Sequence, residues 1–195
     1  MSENQEYLAF NPEFNNNQNN IYVENLQLIF WKILNWLHTK GYNEETDRPV
    51  LENYYKYGLE TTKMANEFGV KILAGTDALD RNVYYGISVH EELQELLKAG
   101  LSNEEALKSA TYNPAQYYEI SNDYGTIEVG KIADFVVIEK NPLKNIKNTQ
   151  TIKFVYYNSR LYNTGDLTQM KTFVKQQAKS FGITSKFIWN MIKRK

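Results

Sequence analysis

The stretch "VKILAGTD" limits this chain more than any other. Val70 to Ala74 are mostly apolar and read as a buried strand, bounded by Gly69 before it and by Gly75-Thr76 after it. A carboxylate, Asp77, follows at once. An acid taken out of water is costly unless it is paired or holds a cation, so Asp77 needs a partner or a task. The order around it is helix, glycine, apolar strand, polar loop, helix. That is the α/β alternation of a parallel sheet.

Composition narrows the function classes. The chain has 195 residues, enough for one domain with a core or for part of something larger. Lys and Arg number 22 against 23 Asp and Glu, for a net charge of −1. Nucleic-acid binding, which needs a basic surplus for its phosphate contacts, is disfavoured. There is no cysteine, which excludes disulfides and thiolate metal sites. The first ten residues lack the basic and apolar regions of a secretory signal. The most apolar stretch, "LQLIFWKILNWL", is interrupted by Lys32 and Asn35 and falls short of the ~20 apolar residues that span a bilayer. The expectation is a chain without membrane contact, cytoplasmic by default. Two histidines, His38 and His90, bound any metal hypothesis.

The rest of the chain divides by period and turn signals. Residues 1–20 are polar, with a low-complexity "NNNQNN" run. A helix is expected over about 21–38, so apolar on most sides that it is either well buried or packs on something else. A second helix is expected to start at Asp47-Arg48-Pro49, with Leu51, Tyr54, Tyr55, Gly58, Thr62, Ala65 and Phe68 on one face and Gly69 at its C′ position. After the Asp77 loop, Ser88 and Glu91 read as a capping box, Glu92 complements the helix dipole, and Leu93, Leu96 and Leu97 form a core stripe ended by Gly100. Ser102 and Glu105 repeat the box, and Ala106, Leu107 and Ala110 face inward. Asn113-Pro114 closes that helix and opens a short third one. From Gly125 the pattern reads as strand, turn at Gly130, then a strand over Phe135 to Ile138. "IKFVYYNSRLY" reads as a further strand with an Asn158-Ser159 turn into a return strand. Residues 166–192 read as helical with Asp166 as N-cap, before a basic Lys193-Arg194-Lys195 tail.

Three segments, "GVKILAGTDA", "GISVHEELQELLKAGLSNEEALKSATYNPAQYY" and "GTIEVGKIADFVVIEKNPLKNIKNTQTIKFVYYNSRLY", occur in this order and spacing. Together they resemble the C-terminal part of the metal-dependent amidohydrolase superfamily, nearest its imidazolonepropionase-like and prolidase-like branches. The resemblance implies an α/β fold: the last strand of a (β/α)8 barrel with its following helices, then part of a small β-sandwich. The expected units are a variable loop and helix (1–49), the barrel portion (50–122), the sandwich return strands (123–165) and a helical tail (166–195). In that family the aspartate after strand eight ligates a metal ion, usually zinc. It also takes the proton from the water that attacks the scissile carbonyl and passes it to the leaving nitrogen. The matching residue is Asp77, at the end of the barrel where such enzymes keep their chemistry.

The rest of the family's ligand set has no counterpart. There is no His-x-His pair, no bridging residue and no further pair of histidines, and a full barrel takes roughly 250 residues. The expectation is an incomplete C-terminal fragment of a hydrolase of amide or dipeptide carbon–nitrogen bonds. Its one or two zinc ions would not be held by this chain alone, it would be inactive in isolation, and it calls for a complementary N-terminal chain. The alternative is a non-catalytic remnant or interaction module that docks on another chain.

Each site candidate has a plainer reading. Asp77 could cap a loop. His90, behind the Asp77 loop, could contact substrate or hydrogen-bond at a helix start. Asp77, Asp80, His90 and Glu91 have metal-ligand types, but nothing in the sequence fixes their geometry. His38 suits a helix C-terminus. Asp134 can accept turn N–H groups ahead of a strand. Tyr84 and Tyr85 could line a pocket, though with 15 tyrosines their presence says little.

Overall fold

The computed structural model describes residues 10, 16–78 and 80–180. The basic tail, and the part of the expected C-terminal helix beyond residue 180, lie outside the described residues. The chain is mixed α/β. Helices α1 (Asn25–Thr39), α2 (Glu44–Glu67), α3 (Ser88–Lys98), α4 (Asn103–Ser109) and α5 (Tyr112–Tyr117) precede strands β1 (Phe135–Ile138), β2 (Ile152–Tyr157) and β3 (Arg160–Asn163), and helix α6 (Thr164–Ala178) follows. Short 3-10 turns cover Gln18–Tyr22 and Ile146–Gln150. No helix among the described residues is long and apolar enough to cross a membrane.

The core forms where α3 and α4 meet. Leu93, Leu96, Ala99, Leu101, Ala106 and Ile146 make one buried cluster, with Leu59, Leu97, Leu107 and Ala110 packed against it. The leucine stripe and the inward alanines read from helical spacing are therefore the actual core. Gly100, at φ +97°, turns the chain between the two helices. At α4 the capping box is complete: the Ser102 hydroxyl accepts the Glu105 N–H, and the Glu105 carboxylate accepts the Ser102 N–H at 2.7 Å. Asn66 of α2 also donates to Glu105, at 2.9 Å.

These bonds carry a pH signature. The Asn66 amide, then the Ser102 N–H and hydroxyl, hold the Glu105 carboxyl down from the ordinary 4.5 to about 2. A carboxyl lowered by folding contributes stability that is present above its unfolded value and lost as pH falls toward the folded one. The urea midpoint is therefore expected to drop between pH 4.5 and pH 2, and to drop less in Glu105→Gln. Parallel curves for the two proteins would show that these bonds do not stabilise the fold.

Several expected boundaries move, each for a local reason. Helix α2 starts at Glu44 rather than at Asp47: Asn43 caps it through Glu45 N–H, and the Asp47 carboxylate reaches back to Asn43 N–H at 2.7 Å. Pro49 thus lies inside the helix. Ser88 is not an N-cap. It is the first residue of α3, its hydroxyl accepts the Tyr84 N–H at 3.0 Å and donates to Glu91 at 2.8 Å, and Ile87 occupies the cap position without a side-chain bond. Asp166 is likewise the third residue of α6, reciprocating the cap made by Asn163.

The sheet is antiparallel in the order β1-β2-β3. Phe135 stacks on Tyr156 in the first pair, with ring centroids 5.4 Å apart. The β2–β3 hairpin turns on Asn158 and Ser159, both with positive φ, as a two-residue hairpin that follows strand twist requires. Asp134 accepts the Asn158 N–H at 2.9 Å and so pins that turn to the start of β1.

Two expected strands are absent. Residues 125–129 do not pair, and Ile127 and Val129 stand exposed. Val70 to Ala74 is extended but joins no ladder among the described residues, and Val70 is 55% exposed. A strand exists only when a neighbouring strand takes its backbone bonds, and neither segment has such a neighbour among the described residues. The apolar surface of α1 is also uncovered: Trp31 is buried, while Ile29, Phe30, Ile33, Trp36 and Leu37 are exposed.

Gly125 is fixed by close approach. At φ +97° a Cβ there would lie 2.7 Å from the Ala115 Cβ on α5. Gly125→Ala is expected to lose about 1–3 kcal/mol in urea unfolding through overpacking and backbone strain. An unchanged midpoint would mean that α5 and this turn do not pack in solution.

Candidate functional site

The site is built around the segment that leads into Asp77. In place of a strand partner, later helices supply its bonds. The Ile72 carbonyl accepts from the Asn113 side chain at 2.9 Å, and the Ala74 N–H donates to the Ser109 carbonyl at 2.9 Å. The Gly75 N–H also faces the Glu92 carboxylate of α3 and acts to lower its pKa. The segment is thus held from one side by α4 and the Asn113-Pro114 corner.

Asp77 then turns the chain with φ +53° and is exposed. Its carbonyl accepts the Asp80 N–H at 3.0 Å. Asp80 accepts the Arg81 N–H at 2.7 Å, and the Arg81 guanidinium reaches the Asn35 side chain at 3.5 Å. The loop continues to Tyr84, which is buried. Its hydroxyl donates to Asn20 at 2.9 Å, and its ring meets Trp31 edge-on with centroids 5.9 Å apart. Burial, reinforced by Glu91, pushes the Tyr84 hydroxyl up to about 12. Tyr84 therefore anchors the far end of the loop to the 18–22 turn and to α1, whereas Tyr85 is exposed.

His90 is the third residue of α3, and its Nδ1 lies 2.9 Å from the Thr149 hydroxyl. That hydroxyl spends its own hydrogen on the Ile146 carbonyl at 2.8 Å. Nδ1 must then be the donor, which leaves the Nε2 lone pair open in the neutral ring. Burial lowers the His90 pKa and favours that neutral form; Glu91 opposes the shift and Lys171 adds to it. A substrate contact by His90 would have to come through Nε2. His38 sits in the last turn of α1, as its helix-end reading expected.

Glu92 was read as a dipole partner, and the structure gives it a different place. It is buried beside the Gly75 N–H, and its Oε2 has no partner among the described residues. Burial raises its pKa, against the Gly75 N–H. Its spacing on the apolar stripe of α3, one residue before Leu93, is the signal that could have marked it. Glu92 and Ile72 also line a cleft of about 330 Å³ between α2 and α3, with Tyr55 and Glu95 hydrogen-bonded to each other in its wall.

The metal-ligand types are not gathered. Among the described residues no three His, Asp or Glu side chains come close enough to hold a cation. Asp77, Asp80, His90 and Glu91 therefore do not form a centre, and these residues by themselves do not fit a zinc ion. What the arrangement provides is one exposed carboxylate on a braced turn.

Comparison with known proteins bears on that turn. A family model described as "Amidohydrolase family" matches residues 35–164. Over 50 residues the chain is 48% identical to N-acetylglucosamine-6-phosphate deacetylase of Caenorhabditis elegans, a stretch covering 25% of this chain and 12% of that protein. A Xaa-Pro dipeptidase, solved with methionine bound in the active site, superposes with TM-score 0.52 and 28% identity, over 74% of this chain and 33% of its own. A putative prolidase from Bifidobacterium longum gives TM-score 0.50 and 27% identity, over 62% of this chain and 30% of its own. The chain spans a third or less of the length of these relatives.

Proposed function

The chain belongs to the amidohydrolase family, and on that premise we propose that it supplies the C-terminal share of a hydrolase of carbon–nitrogen bonds. In this reading α2, the segment 70–77 and α3 are the last helix–strand–helix passage of a (β/α)8 barrel, and the three-stranded sheet belongs to a small sandwich. The substrate class is a small amide or dipeptide, the chemistry that the names of the dipeptidase and deacetylase relatives carry. Asp77 is this chain's contribution to the reacting centre, as proton acceptor and as one donor of a shared cation site. The other donors would come from a complementary chain, since the described residues do not gather a set of three.

One observation carries the reading. A family match spans an exposed acid whose approach is braced by Asn113 and Ser109 from two separate elements. A loop cap needs no such bracing. The test is turnover of a Xaa-Pro dipeptide by an equimolar mixture of this chain and a complementary amidohydrolase chain. Hydrolysis by the mixture, with none from either chain alone, is the expected result. No hydrolysis by a mixture that has demonstrably associated would refute it.

A second reading has its own support. The uncovered apolar face of α1 and the exposed Ile127 and Val129 suit a docking module that performs no chemistry. The same mixture separates the two: a module associates and leaves the dipeptide intact.

A further inference from the structure

A small cavity opens beside the Asp77 loop, between the 18–22 turn, α1 and Asn82. Trp31, Lys32, Asn35, Asn82 and Asn20 line its volume of about 10 Å³, the room of one oxygen atom. Its polar groups are out of balance. Trp31 is 3% exposed, and neither its Nε1 nor the Asn82 Nδ2 has a hydrogen-bond partner among the described residues. Both atoms are donors. Two of the three side-chain carbonyls nearby each already accept a bond: the Asn20 oxygen accepts from Tyr84, and the Asn35 oxygen accepts from Arg81. Among the described residues no carboxylate lines the cavity, and the exposed Lys32 is part of its lining.

The geometry points to a site for one carboxylate oxygen of a small ligand. A water placed there would satisfy Trp31 and Asn82 and would leave its two hydrogens to share carbonyls that each already accept one bond. A carboxylate oxygen brings acceptor capacity only, and its charge strengthens both bonds. The Lys32 ammonium offsets the desolvation of that charge. The rest of the ligand remains in the opening. The carboxylate comes either from a free short-chain acid or from a peptide C-terminus. The site stands on these donors and does not depend on the hydrolase reading.

The test uses the full chain with its tryptophan indoles labelled with nitrogen-15, and the Trp31 resonance is assigned by its loss in Trp31→Phe. Acetate, at constant pH and ionic strength, is expected to move the Trp31 Nε1–H resonance saturably, while acetamide does not. Asn82→Ala is expected to weaken acetate binding about 10-fold or more, by loss of a bond to a charged group. Lys32→Gln, an exposed change that keeps the fold, is expected to weaken it about 5-fold. A Gly-Pro titration distinguishes the sources: tighter binding than acetate assigns a peptide C-terminus, and equal or weaker binding assigns a free acid. A linear or absent shift with acetate, an equal response to acetamide, or an unchanged affinity in Lys32→Gln would overturn the proposal.

Discussion

Asp77→Asn, in an assembly reconstituted with a complementary amidohydrolase chain, is expected to lower kcat at least about 100-fold, the range in which a positioned proton acceptor acts. The substitution suits this position. Asn accepts the left-handed φ of +53° as readily as Asp does, so the turn should persist. The side chain is exposed, so stability should stay within about 0.5 kcal/mol of the parent. Asp80→Asn is the control. Its carboxylate serves the Arg81 N–H, and near-normal turnover is expected. A normal rate in Asp77→Asn would reduce Asp77 to a loop cap.

The second large effect is on stability. Leu93 is 4% exposed and belongs to a buried cluster of six residues. Leu93→Ala is expected to cost about 2–5 kcal/mol, because the space it leaves can collapse only in part. For a chain of this length that lowers the thermal midpoint by roughly 4–20 °C. The contrast is Ile33→Ala on α1, where the side chain is 49% exposed and the expected change in the isolated chain is within about 0.5 kcal/mol. Thermal scans of the three proteins decide the matter. Equal midpoints for Leu93→Ala and Ile33→Ala would show that the α3–α4 cluster is not the core.

What the sequence disclosed follows from range. The Ser102–Glu105 box, the Asn158-Ser159 hairpin and the Leu93–Leu96 stripe depend on residues a few positions apart, and all three stand in the structure. The segment 70–74 has the composition of a core strand, but pairing is a property of a neighbour, and its bonds go to Ser109 and Asn113 instead. Ser88-x-x-Glu91 matches a capping box, yet the Tyr84 N–H claims the hydroxyl from four residues upstream. Asn43 and Asp47 are both good helix starters, and the structure uses both at the same end of α2. Asp77 stands as a candidate because the resemblance runs through its turn. Glu92 was not legible, because only the chain's return to Gly75 shows that this acid is buried. The Trp31–Asn82 pair was hidden for a similar reason, lying 51 positions apart in sequence on two elements that meet only in the fold.

The central claim is that the exposed carboxylate of Asp77 faces the missing share of an active centre. Carboxyl footprinting measures this directly, by the rate of carbodiimide labelling of each acid in the chain alone and in the reconstituted assembly. Glu104, whose side chain is 64% exposed on α4, serves as the reference. The account predicts that Asp77 labels readily in the isolated chain and at least about 10-fold more slowly in the assembly, as burial among opposing groups demands, while Glu104 is unchanged. Equal labelling of Asp77 in both states would contradict it.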